Sequence, residues 1–238
     1  TTEVDEEFLK EIEKWREILA KNIAIRNKDL TIYELNFAVQ VTIDRILFLR
    51  ICEDHSIEKY ERLKGISLKT NIYKEILTYF KYADEKYNSG IFNLEQDKIT
   101  TKINIDDIIL KSIISELYYP ICPYEFTVIG VEILGQVYEQ FLGKIIKLTT
   151  AHQAKVEEKP EVKKAGGIFY TPSYIVNYIV KNTIGKIVKG KTPKEIEQIS
   201  ILDPACGSGS FLLGAYSYLL DYHLKYYLKN DPKKFKKD

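Results

Sequence analysis

The run Ile199-Ser-Ile-Leu-Asp203-Pro-Ala-Cys-Gly207-Ser-Gly209-Ser-Phe211-Leu sets an acid, two glycines and an aromatic where they could do chemistry. An apolar segment ends in Asp203, a glycine-punctuated turn follows, and a long helical pattern begins beyond it. That order predicts a strand, a tight loop and a helix, the opening unit of a doubly wound α/β fold. Glycines at 207 and 209 allow positive φ and let a ligand approach bare backbone. Helix N-terminal amides at such a turn ordinarily receive phosphate. Asp203, directly before the loop, would repel it. Its carboxylate suits a cation instead, such as the ammonium of an amino-acid moiety, while nearby N–H groups hold that moiety's carboxylate. S-adenosylmethionine carries both groups.

Two nucleotide motifs fail on spacing. A P-loop needs a Gly-Lys-Ser/Thr triplet that this turn lacks, and the dinucleotide pattern needs a third glycine where Leu212 stands. A lone Gly-x-Gly also occurs in ordinary strand-to-helix turns, but the string from Asp203 to Phe211 is far more specific. Upstream, Gly167-Ile-Phe169-Tyr170-Thr171-Pro172 precedes a helical pattern running to about Val188, in which Ile175, Ile179, Val180 and Ile184 recur. Proline is pre-organised for a first helical turn. Taken alone, Thr171 reads as a plain helix cap.

Asp203 to Leu212 resembles the cofactor-binding motif of amino-group DNA methyltransferases, particularly the adenine-N6 enzymes of restriction–modification systems. Gly167 to Pro172 is similar to the Gly-x-Phe/Tyr-Tyr-Thr-Pro element that precedes the first strand in the circular motif order of such enzymes. The resemblance implies that Tyr170, Thr171, Pro172, Asp203, Ala205, Gly207, Gly209 and Phe211 bind S-adenosylmethionine. It implies that Thr171 contributes to the pocket for the methionine end, so Thr171 and Asp203 should face one cavity.

The elements that position these motifs come next. At 238 residues and 45% hydrophobic content, the chain can bury one large core or two modest ones. A net charge of +1 gives no global field toward nucleic acid or membrane, so any DNA contact must come from a local patch or from parts outside the chain. Cys52, Cys122 and Cys206 show no paired spacing, which suits a reducing interior, and His55, His152 and His223 form no metal-ligand cluster. Without a signal peptide or a membrane-length apolar run, a cytoplasmic location and no membrane partner are expected.

Phe8, Ile12, Trp15, Leu19 and Ile23 mark one helical face. The capping box Thr31-x-x-Glu34 opens a second helix through Ile51. Further helical patterns cover Asn71 to Tyr87, Asp106 to Leu117 (with Asn104 as a candidate cap) and Val131 to Leu142, while Ser210 to about Leu228 follows the cofactor turn. The polar segment Leu148 to Gly166 reads as a linker that could hold short strands. Arg50 reaches Glu53 and Asp54 at helical spacing, which predicts a salt bridge near the surface; the rival reading is an arginine on a DNA phosphate.

Leu134 to Gly143 is similar to a domain-docking segment ahead of the methyltransferase domain in the same family, and with Asp5 to Arg16 and the Arg45–Asp54 helix it resembles the helical connector of type IIG restriction–modification enzymes. In that family one polypeptide carries a nuclease, a helical connector, a methyltransferase and a target-recognition region. The fold class that follows is mainly α: a helical connector domain over residues 1–147, a linker over 148–166, and the incomplete start of an α/β methyltransferase domain over 167–238. A single strand cannot complete such a sheet, so further strands are expected beyond Asp238.

Adenine-N6 transfer needs an Asn/Asp-Pro-Pro-Tyr/Phe loop to hold a flipped base. Ile121-Cys-Pro-Tyr124 and Asp231-Pro-Lys-Lys both fail that pattern, so no catalytic residue is named and the isolated chain is expected to be inactive. No metal site is expected except in a nuclease domain outside the chain. The implied activity is methyl transfer from S-adenosylmethionine to a flipped adenine at a specific site in double-stranded DNA. The rivals are a type I modification subunit, a phage-exclusion methyltransferase, and a non-catalytic DNA-binding or scaffolding module.

Overall fold

The computed structural model describes residues 3–127, 135, 143–150, 152–160, 171–230 and 232. It is mainly helical, with one two-stranded sheet among the described residues. The chain divides into two compact units: Thr1–Gly130 with Phe141–Gly167, and Val131–Gln140 with Ile168–Asp238. Among the described residues no helix is long and apolar enough to cross a membrane.

In the first unit, helix α1 (Glu3–Arg26) buries the face its spacing predicts, from Phe8 through Ile12, Trp15 and Leu19 to Ile23. Trp15 gives its indole N–H to Glu116 at 2.7 Å, and Phe8 meets Trp15, Tyr124 and Phe126 edge-on. Helix α2 (Ile32–Asp54) opens with both halves of the Thr31/Glu34 capping box in place. It has no wet face to speak of. Leu35, Val39, Ile43, Ile46 and Leu49 are buried together with Thr42, Arg45 and Arg50, as befits a helix at the centre of a core.

Helices α3 (Arg62–Ser67), α4 (Ile72–Tyr87) and α5 (Asp107–Ser115) pack against one another, and α3 meets α2. The N-termini of α3 and α4 carry no side-chain cap of their own. Each borrows a distant carboxylate. Glu53 accepts from the amides of Glu61 and Leu63 at 3.0 and 2.9 Å, and Asp107 accepts from those of Asn71 and Ile72 at 2.9 and 2.8 Å. At its other end α4 stops at Asn88, whose φ of 44° turns the chain out of the helix. The N-cap of α5 is Asp106 rather than Asn104.

Arg50 pairs with Asp54, as its spacing predicts, but the pair is sealed rather than near the surface. Its Nε donates to the Leu117 carbonyl at 2.9 Å and its guanidinium lies 4.5 Å from the Tyr118 ring centre. Glu53 serves the α3 amides and the Tyr118 hydroxyl instead. An arginine so enclosed cannot reach a DNA phosphate, so that rival reading is set aside.

The segment expected as a linker holds an antiparallel hairpin, β1 (Lys144–Leu148) and β2 (Ala154–Glu158), with Lys144 opposite Glu158 and Leu148 opposite Ala154. Asn36 of α2 clasps it, exchanging bonds with the Ile146 carbonyl and amide at 2.9 Å each. The helix expected over Val131 to Leu142 lies outside the described residues apart from Gly135.

In the second unit the helix expected from Pro172 to Val188 is broken in two, α6 (Ser173–Asn182) and α7 (Ile184–Val188). Thr183, at φ −108° and ψ −83°, leaves the helical region and gives its hydroxyl back to the Ile179 carbonyl at 2.7 Å. That back-bonding is a recognised cause of helix bending. A short helix α8 (Pro193–Ile196) carries its own Thr192/Glu195 capping box. Helix α9 (Ser210–Asn230) follows the glycine turn.

Candidate cofactor-binding site

The two candidate motifs stand at the N-termini of α6 and α9, and the packing of those helices decides how the motifs relate. Gly214 of α9 lies against Val176 of α6, Gly185 of α7 lies against Tyr218, and the Tyr222 hydroxyl donates to the Lys191 carbonyl at 2.9 Å. Residue numbers rise together along both partners, so the helices run in the same direction. Both N-termini, and with them Thr171-Pro172 and the Asp203 turn, therefore lie toward the same end of this unit.

At the α6 end, Pro172 and not Thr171 occupies the N-cap, and its carbonyl accepts from Ile175 and Val176 at 3.0 and 3.2 Å. The plain-cap reading of Thr171 is thereby removed. Tyr170 lies outside the described residues.

At the α9 end, Asp203 Oδ1 accepts from the Ala205 amide at 3.1 Å, an Asx turn that fixes the carboxylate over the loop. Gly207 and Gly209 have φ of 54° and 79°, the left-handed conformations for which glycine is the undemanding residue. The Gly209 amide bonds back to the Cys206 carbonyl at 2.7 Å, and the Gly209 carbonyl accepts the first helical amide from Leu213 at 2.9 Å. A Cβ on Gly209 would meet open space. No acid stands in the first turn of α9 to oppose an anion.

The run Ile199 to Asp203, predicted as a strand, joins no ladder among the described residues. A strand is completed by the backbone groups of a neighbour, and here Ile201 and Leu202 are 40% and 85% exposed. Beside it lies a mainly apolar hollow of about 350 Å³, whose walls include Val180, Thr183, Leu202, Asp203 and Phe211. Thr171, Pro172, Ala205, Gly207 and Gly209 do not line it. The structure thus brings Asp203 and Phe211 to one hollow and leaves Thr171 off its wall. The shared cavity expected for Thr171 and Asp203 is not this one.

Sequence reasoning passes over Gly214. Its signal was available: a glycine inside a helical pattern lowers helix stability and, where retained, commonly marks a close approach.

Among the described residues no group of histidines, cysteines and acids could hold a metal ion. Residues 130–232 match the N-6 DNA methylase family. The chain is 36% identical over 232 residues to the type II restriction enzyme and methyltransferase RM.Eco57I of Escherichia coli, which is 97% of this chain and 23% of that protein. RM.MjaORFECS2P of Methanocaldococcus jannaschii, which bears the name of a type II restriction enzyme and methyltransferase, is 26% identical over 80% of this chain and 21% of its own length. The adenine-specific methyltransferase BrxX of Escherichia coli O9:H4 is 28% identical over 37% of this chain and 10% of its own length. The chain spans less than a quarter of the length of each of these relatives. No solved structure matches it. With the Asp203 turn, the Thr171-Pro172 element and the family match falling on the same residues, the chain carries part of a domain of the N-6 DNA methylase family, within a sequence similar along nearly its whole length to a type II restriction enzyme and methyltransferase.

Proposed function

We propose that this chain is the helical connector and the first cofactor-binding segment of a type IIG restriction–modification enzyme. The polypeptide that carries it methylates N6 of adenine at a specific site in double-stranded DNA. The observation that supports this most is the common direction of α6 and α9, which sets both cofactor motifs at one end of their unit.

The residues fit the amino-acid end of S-adenosylmethionine. Asp203, oriented by the Ala205 amide, would receive the ammonium, and the turn through Gly207 and Gly209 would offer N–H groups to the carboxylate. The open space beside Gly209 leaves the backbone approachable there. Thr171 and Pro172 at the head of α6, Tyr170 before them in the chain, Ala205 in the turn and Phe211 in the first turn of α9 complete the proposed set. When bound, the cofactor supplies the methyl group. The residues of this chain hold and orient it. The α/β sheet of the methyltransferase domain would then be built on the run from Ile199 to Asp203.

The test is calorimetric titration of the full-length polypeptide with S-adenosylmethionine, followed by tritiated-methyl transfer to mixed-sequence DNA and nucleoside analysis. Binding and N6-methyladenine are the expected results, and Asp203→Ala should weaken both. A folded polypeptide that binds no S-adenosylmethionine, or that methylates cytosine, overturns the proposal.

A further inference from the structure

The seat of α9 on α6 depends on a residue with no side chain. A Cβ added at Gly214 would lie 2.6 Å from Val176 Cγ1 and 3.6 Å from Val180 Cγ2. The first distance is shorter than packed carbon atoms tolerate, so something must move. Val176 has little room to yield: it is 4% exposed and β-branched, with one strongly favoured rotamer in a helix. The helices themselves would separate.

The place of this contact gives it a consequence for the cofactor. Val176 stands one helical turn beyond Pro172, and Gly214 one turn beyond Ser210. The spacing of α6 and α9 at this point therefore sets the spacing between Thr171-Pro172 and the Asp203 turn. We propose that Gly214 is a positioning residue for cofactor binding, acting through Val176 to hold the two motifs at a working separation. The inference rests on the cofactor reading above. Gly185 provides the internal contrast. A Cβ there would meet the Tyr218 hydroxyl at 2.7 Å, the far end of a side chain that can swing away, and the contact is farther from both motifs.

The test uses the full-length polypeptide and reads S-adenosylmethionine affinity by calorimetry, with KM and kcat beside it. Gly214→Ala should weaken cofactor binding on the order of tenfold, raising KM for the cofactor and leaving kcat within about twofold. Adding Val176→Ala to Gly214→Ala should restore most of the affinity, and Gly185→Ala should bind like the parent. Val176→Ile, which adds a methyl to the same gap from the other side, should reproduce the loss and serves as the check if Gly214→Ala does not fold. A folded Gly214→Ala or Val176→Ile protein with parental affinity overturns the inference alone. So does failure of Val176→Ala to rescue a folded Gly214→Ala protein. A parent polypeptide that binds no S-adenosylmethionine overturns the cofactor reading first, and this inference with it.

Discussion

Arg45 and Asp97 form an ion pair at 2.8 Å with side chains only 2% and 3% exposed. Burying two charges costs more than their attraction returns unless the remaining donors and acceptors are also satisfied. Here they are. Arg45 donates to the carbonyls of Ile91 and Phe92 and to the Thr100 hydroxyl, while Asp97 accepts from the Thr100 amide and hydroxyl. Burial alone would push the Asp97 carboxyl up, but the Thr100 bonds and Arg45 together hold it below its ordinary value. The pair fastens the irregular stretch after α4 to the middle of α2.

Removing one partner should therefore cost far more than removing both. Arg45→Met leaves Asp97 enclosed without its counter-charge, and about 3–5 kcal/mol of unfolding free energy should be lost. Combining it with Asp97→Leu should recover part of that loss. Urea denaturation of the three proteins checks the order; an Arg45→Met protein as stable as the parent would refute it.

Asp107→Ala should loosen the start of α4, although the residue lies in another helix. Two backbone amides lose their acceptor, and about 1–2 kcal/mol is the scale of a lost helix cap. Hydrogen exchange should rise first at Ile72 and its neighbours, and unchanged protection there would contradict the capping role.

Asp44 makes stability depend on pH. Burial raises its carboxyl from an ordinary 3.8 to about 7, against the smaller opposing effects of the Gln40 bond and of Arg45 and Arg16. Between those two values the folded chain holds a proton that the unfolded chain releases. The contribution is thus fully present below the unfolded value and is lost as pH rises through about 7. Asp44→Asn should remove the dependence, so its stability relative to the parent should grow from about pH 5 to about pH 8. Parallel melts at the two pH values decide the matter.

Asp203→Ala separates binding from folding. The side chain is only partly buried and has one local bond, to the Ala205 amide, so unfolding free energy should change by no more than about 0.5 kcal/mol. Loss of a charge-assisted bond to the cofactor's ammonium should weaken S-adenosylmethionine on the order of tenfold or more, with Asp203→Asn between the two. Equal affinities in all three would remove Asp203 from the site.

Local signals are what the sequence makes legible. The α1 face, the Thr31/Glu34 box and the extent of α4 follow from patterns a few residues long, and the structure repeats them. The N-terminus of α3 is not legible, because its acceptor is Glu53 in another helix. The burial of Arg50 is not legible either, since it depends on Leu117 and Tyr118, far along the chain. Of the candidate site, the turn and its glycines were readable from composition and spacing. The break at Thr183 and the meeting of Gly214 with Val176 were not, because both depend on how two helices pack.

The last turn of α2 also bears on how the first unit comes into being. Within five residues, Arg50, Glu53 and Asp54 gather the Leu117 carbonyl, the Tyr118 hydroxyl and the amides of Glu61, Leu63 and Phe126. Some of these partners are 65 to 72 residues away along the chain. Such bonds reward the chain only after long loops have closed, and that entropy is lost before any of them forms. Although its main regular elements are helices, the unit should fold with the late, all-together step more familiar in β proteins, its peripheral helices locking only when the chain's distant segments have returned to α2.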